Sequence, residues 1–202
     1  MSDPHASALR TLTAWQPPTR EQAALRERYV AHLEAHPDGL AKACFPDHLT
    51  AGAIVVSPAG DAVLLNHHRK AGAWLAFGGH LEPDDDSLAD GARRELVEES
   101  GLATFDFDPE PLSLDAHAVD FCSPRGTVHH LDVRFLATAE PDDSHVTSEE
   151  SLDVRWWPAD ALPETFEDMY ALIDAALERV RGRGPGQSSS SPGGGSRRAA
   201  AE

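Results

Sequence analysis

Within residues 88–100, two glutamates stand where a helix of a globular protein normally places leucine. At 100° per residue, Ala92, Glu95 and Glu99 fall within roughly 40° of Leu88, Glu98 lies roughly 80° to one side, and Arg93 and Arg94 point the other way. Carboxylates on a core-facing stripe are costly unless a positive charge sits between them. Like charges at i and i+4 also destabilise a bare helix. A hard divalent cation with oxygen ligands, Mg²⁺ foremost, answers both problems. The plainer reading is a solvated acidic face. Gly91, small on the flank of the stripe, and Gly78-Gly79, a close-approach turn ahead of the helix, favour the metal.

The ends of this helix are legible in local chemistry. Pro83 forces a turn. Either Asp86 or Ser87 caps the N-terminus, and Ser87-x-x-Asp90 approximates a capping box. Gly101 stands where a left-handed residue closes a helix.

Arg94-Glu95-Leu96-Val97-Glu98-Glu99-Ser100-Gly101-Leu102 resembles the second half of the Nudix box, and Gly78-Gly79-x-x-Glu82 resembles its start. The match is specific over residues 78–102 and extends by order of elements alone over about 46–162. Two departures stand out. One extra residue lies between Gly79 and Arg94, and either Asp85 or Asp86 replaces the acid at the middle of the pattern. The resemblance implies an α/β fold, a Nudix-like α/β/α sandwich with a mixed β-sheet. It also implies a Mg²⁺-dependent hydrolase that cleaves the diphosphate linkage of a nucleoside diphosphate joined to another moiety. Glu95 and Glu99 are then the principal metal ligands, Glu98 is a ligand or the base for the attacking water, and the carbonyl of Gly78 or Gly79 completes the shell. Arg94 orients Glu95 or holds the loop, as a ligand must itself be fixed. Mn²⁺ in place of Mg²⁺ and a homodimer both stay open.

The rest of the chain is compatible with this. A length of 202 residues, 41% hydrophobic and 25% charged, suits one domain with a sizeable core. The net charge of −17 argues against a nucleic-acid polymer or an anionic membrane as partner, so the expected partner is a small phosphorylated molecule. Cys44 and Cys122 form neither a disulfide framework nor a metal spacing. With no apolar run of membrane-spanning length and no signal pattern, the expected setting is cytoplasmic.

Residues 1–18 read as polar and broken by Pro17-Pro18, and a helix follows over about 19–35. Strands are expected at 50–57 and 62–67 as a hairpin, at 74–77, 113–119, 128–138 and 153–157, with a last helix over about 164–181. The expected division is an N-terminal helical extension at 1–45, a Nudix hydrolase domain at 46–182, and a disordered Gly/Ser/Pro/Arg tail at 183–202.

Arg69, Lys70, His80 and Arg134 are candidate substrate contacts, the first two against the alternative of a solvated turn. Asp132 can pair with Arg134 across a neighbouring strand or assist the metals. Glu150, beside Glu149, is a candidate additional acid by resemblance, and a solvated loop by sequence alone. Trp156 and Trp157 alternate, one for the core and the other for a ligand or rim. Zinc is disfavoured, because the histidine spacings match no standard ligand set and adjacent histidines on a strand face opposite ways. Two rival functions remain: a sensor or interaction module that binds a nucleotide-like ligand without cleaving it, and an isomerase of an isoprenoid diphosphate. The isomerase is weakened by the lack of a cysteine near the box.

Overall fold

The structure, a computed structural model, describes residues 3–120, 122–141 and 151–183. Its elements in chain order are α1 (Pro4–Ala14), α2 (Arg20–Ala35), β1 (Asp47–Val56), β2 (Ala62–His68), β3 (Ala73–Leu75), β4 (Phe77–His80), α3 (Leu88–Ser100), β5 (Asp106–Val119), β6 (Val128–Thr138), β7 (Ser151–Pro158) and α4 (Glu167–Arg183). Among the described residues one mixed sheet runs β3-β2-β1-β6-β5, with β4 also pairing β1 and β7 pairing β2. The central β1–β6 pair is parallel and its neighbours are antiparallel.

Side-chain alternation along β1 and β6 divides the core in two. Leu49, Ala51, Ala53 and Val55 of β1, with Leu131, Val133, Phe135 and Ala137 of β6, pack beneath α1, α2 and α3. Ile54, Val56 and Leu136 face the other way, beneath Met169, Ile173 and Leu177 of α4. This is the α/β/α sandwich with a mixed sheet expected from the sequence. The α4 layer covers only the upper part of its face. Below Ile54, the positions of that face hold Gly52, Thr50 and His48 on β1 and Arg134, Asp132 and His130 on β6, which leaves a polar floor for a cavity.

Residues 4–14 form a helix where the sequence reading had only a polar segment. Asp3 accepts the Ala6 N–H at 3.1 Å as N-cap, and Pro4 occupies the first turn, where its missing N–H costs nothing. Ala8, Leu12 and Trp15 then bury one stripe against the core. Sparse apolar residues hid this stripe, which gains its stability from the partner it covers. The strand expected at 74–77 is two: β3 pairs β2 and β4 turns to pair β1. Gly78 and Gly79, read as a loop, are therefore strand residues. A Cβ on Gly78 would stand 2.7 Å from the Gly52 Cα, so only a glycine pair lets β4 approach β1 this closely. The strand expected from residue 113 begins at Asp106 and is irregular between Asp108 and Ser113. Residues 184–202 of the expected tail lie outside the described residues, and Arg183 ends α4.

Candidate functional site

α3 forms as its end signals indicate. Of the two candidate caps, Ser87 is the one used, accepting the Asp90 N–H at 3.1 Å and donating to the Asp90 carboxylate at 2.7 Å. Gly101 closes the helix at φ 67°. Leu88, Ala92 and Leu96 are buried in the core, and Glu99 shares their stripe at 6% exposure.

β4 faces the glutamates of α3. One Glu99 carboxylate oxygen accepts the Gly78 N–H at 2.9 Å. The Glu95 carboxylate lies so close to Gly79 that a Cβ there would stand 2.6 Å from its Oε1. Glu98 is more open, with 57% of its side chain exposed. Arg94 ties the group together. It donates to Glu95 at 3.0 Å and Glu98 at 3.1 Å through one nitrogen, to the His80 carbonyl at 2.9 Å, and to both oxygens of Asp85 at 3.1 and 2.9 Å. Asp85, not Asp86, thus takes the middle acid position. Burial opposes its ionisation, but the Arg94 fork and the Glu82 N–H at 2.8 Å outweigh this and hold its carboxyl below the usual range.

Glu99, Gly78 and Gly79 border a cavity of about 660 Å³. Glu95 and Glu98 lie behind this wall. Of the other candidates, Lys70, His80 and Arg134 line the cavity, joined by Lys42 and Asp168. Arg69 does not line it and donates to the Ser151 carbonyl at 3.3 Å. Arg134 sits at the floor among three carboxylates, Asp168 at 2.9 Å, Asp115 at 3.3 Å and Asp132 at 3.4 Å. Burial would lower its pKa, yet these three acids raise it. Asp132 pairs with it along the same strand, not across strands, and also accepts the Thr50 hydroxyl. Glu149 and Glu150 fall outside the described residues. Trp156 packs on one core and Trp157 on the other, edge-on to Trp74 at 5.1 Å, so neither tryptophan reaches the cavity.

Two sequence expectations about histidine and cysteine need correction. His48 of β1, His80 of β4 and His130 of β6 converge with Cys122 from the β5–β6 connection. These residues are distant in sequence and meet because the sheet register pairs His48 with His130 and Thr50 with His80. Cys122, 42 residues from His80 in sequence, lies 3.3 Å from its Nε2, so a cysteine does stand beside the box. Burial first, then His130, Lys42 and His48, pushes His80 down to about 3. Burial likewise lowers His48 and His130. His129, the neighbour of His130, faces away and bonds Asp47 at 2.9 Å.

A family model described as the NUDIX domain matches residues 46–176. A curated mouse (Mus musculus) protein named oxidized purine nucleoside triphosphate hydrolase is 29% identical over 110 residues, covering 50% of this chain and 57% of the relative. The chain therefore spans less than two thirds of that protein. A crystal structure of a NUDIX-family hydrolase from Clostridium perfringens superposes with a TM-score of 0.52 at 22% identity, covering 66% of this chain and 97% of its own. A C. elegans Ap4A hydrolase gives a TM-score of 0.50 at 18% identity, over 66% and 98%. These two likenesses are of fold. With the box residues gathered on α3 and β4 and the family model spanning the sheet, the chain belongs to the Nudix family.

Proposed function

We propose that the protein is a Mg²⁺-dependent hydrolase that cleaves the diphosphate linkage of a nucleoside diphosphate joined to another moiety. The observation that carries this reading is the buried Glu99 carboxylate, anchored by the Gly78 N–H at the wall of the cavity, with Glu95 against Gly79 and Glu98 beside it. This donor set fits a hard cation: three carboxylates on one helix and the Gly79 carbonyl, all oxygen. Glu95, Glu98, Glu99 and Gly79 would hold it, and when bound it would supply the positive charge that offsets the negative charge building as water attacks phosphorus.

The protein's own groups prepare that step. The Gly78 N–H holds the Glu99 carboxylate in place at the cavity wall. Arg94 orients Glu95 and Glu98 through a single nitrogen, and Asp85 fixes Arg94 through a two-point contact. Glu98, the most solvent-accessible of the three, serves as ligand or takes the proton of the attacking water. Lys42 and Lys70 supply positive charge for phosphate at the cavity wall. Arg134 is already surrounded by acid, so its role is to hold Asp132 and Asp168 as acceptors for N–H or hydroxyl groups of the substrate. Family membership and the name of the mouse relative support hydrolysis of a phosphate anhydride.

The test is turnover of a mixed panel, namely sugar nucleotides, ADP-ribose, dinucleoside polyphosphates, NADH and oxidised nucleoside triphosphates, with Mg²⁺, with chelator, and with Glu99→Gln. The expected result is metal-dependent release of a phosphate product that falls by at least about 100-fold in the variant. A compound that binds and raises the melting temperature without being cleaved would transfer the assignment to a sensor.

A further inference from the structure

The floor of the cavity carries a set of donors that the box chemistry does not use. His48 Nε2 lies 3.1 Å from His80 Nε2. Cys122 Sγ lies 3.3 Å from His80 Nε2, 3.3 Å from His130 Nε2 and 3.8 Å from His48 Nε2. All four donor atoms fall within 4.8 Å of one another. With Zn–N near 2.0–2.1 Å and Zn–S near 2.3 Å, a tetrahedral site has edges of about 3.3 Å between nitrogens and about 3.6 Å between nitrogen and sulfur. The nitrogen–sulfur edges of 3.3 to 3.8 Å bracket the second value, and the His48–His80 edge of 3.1 Å lies just below the first.

A second feature concerns orientation. His48 is fully buried, and its Nδ1 lies 3.1 Å from the Cys44 carbonyl. A carbonyl only accepts, so the proton sits on Nδ1 and the Nε2 lone pair faces the cluster. Metal-binding histidines are commonly held this way, by an outer carbonyl that sets both tautomer and ring orientation. The donor set, one thiol and three imidazoles without a carboxylate, selects zinc over the hard cation suited to the box. A nearby group, Asp115, His117 and Asp132, also converges. There Arg134 stands 3.3 and 3.4 Å from the two carboxylates and already supplies the positive charge.

We propose that His48, His80, His130 and Cys122 form a tetrahedral zinc site, separate from the carboxylate site of the box. Binding releases the Cys122 thiol proton to solvent and leaves a thiolate on the metal. Four protein ligands close the coordination sphere, so the zinc is structural. It clips the β5–β6 connection to β1, β4 and β6. Because His80 directly follows Gly79, the clip also fixes the strand that faces the α3 glutamates.

The test uses the full chain purified without chelator. Elemental analysis should find one zinc per chain that persists through dialysis against Mg²⁺, and zinc removal should lower the melting temperature. Cobalt substitution should give visible bands of tetrahedral intensity together with thiolate-to-cobalt charge transfer in the near ultraviolet. Cys122→Ser, at a partly exposed position, should abolish the charge-transfer band, while Glu99→Gln should leave the tetrahedral bands and the charge-transfer band unchanged. Absence of zinc together with a purely octahedral cobalt spectrum would overturn the proposal. The four groups would then form a hydrogen-bonded cluster, with His80 donating to His48 and the thiol to His130. A tetrahedral spectrum that survives Cys122→Ser intact would overturn it equally, because the cobalt would then sit elsewhere.

Discussion

Arg94 donates to Asp85, Glu95, Glu98 and the His80 carbonyl, so one guanidinium sets the positions of two box glutamates, an acid of the preceding loop and the end of β4. The helix wheel places its Cα away from the glutamate stripe, yet a long side chain curls back, and Asp85 decides where it goes. The Asp85 carboxyl titrates below its ordinary range in the folded protein. A lowered carboxyl pKa contributes stability that is complete above the unfolded value of about 3.9 and is lost as pH falls through the folded value. Asp85→Asn should therefore be less stable than the parent at neutral pH, and the gap should shrink as pH drops below about 4. Denaturant melts of both proteins at pH 7 and at acid pH check this; a gap that stays constant would show that Asp85 acts by shape and not by charge.

Two glycines on neighbouring strands separate fold from chemistry at the scale of the element. A Cβ on Gly52 would stand 2.5 Å from the Phe77 carbonyl oxygen, which is backbone of β4 and cannot move alone. On Gly79 it would meet the carboxylate of Glu95, the far end of a flexible side chain. Gly52→Ala should therefore force β1 and β4 apart and cost about 1–3 kcal/mol, as overpacking in a filled core does. Gly79→Ala should keep the melting temperature within a few degrees and lose turnover, because it displaces one glutamate. Thermal melts beside activity measurements separate the two. Equal loss of stability in both would mean that the β4–α3 contact is as rigid as the β1–β4 contact.

At the scale of the molecule, the N-terminal helices are part of the core. Leu12, Trp15, Tyr29 and Leu33 are buried with the sheet residues of the same layer. The Tyr29 hydroxyl donates to the Asp115 carbonyl, and the Gln22 side chain bonds both the N–H and the carbonyl of Leu114, at 2.7 and 2.9 Å. Burying one such apolar side chain is worth about 1.5–3 kcal/mol, and a domain's whole stability is about 5–15 kcal/mol. Deleting residues 1–35 should leave a chain that aggregates or lacks a cooperative melt. A deletion that melts like the full chain would show the two helices to be an appended unit. No helix among the described residues is long and apolar enough to cross a membrane.

The sequence by itself determined the parts whose geometry is local. Three glutamates at i, i+3 and i+4 share a helix face because the helix repeats every 3.6 residues, and its ends were legible as Asp86 or Ser87 at the start and Gly101 at the close, the structure choosing Ser87. The sandwich was legible from the order of strands and helices along the chain and from the resemblance of residues 78–102 to the Nudix box. α1 was not, because its few apolar residues signify a helix only once the sheet exists to cover them. Only the tertiary structure brought His48, His80, Cys122 and His130 together. Their proximity comes from the parallel register of β1 with β6 and from β4 closing on β1 across a pair of glycines. Such long-range pairing depends on which strands become neighbours, and no spacing along the chain encodes it.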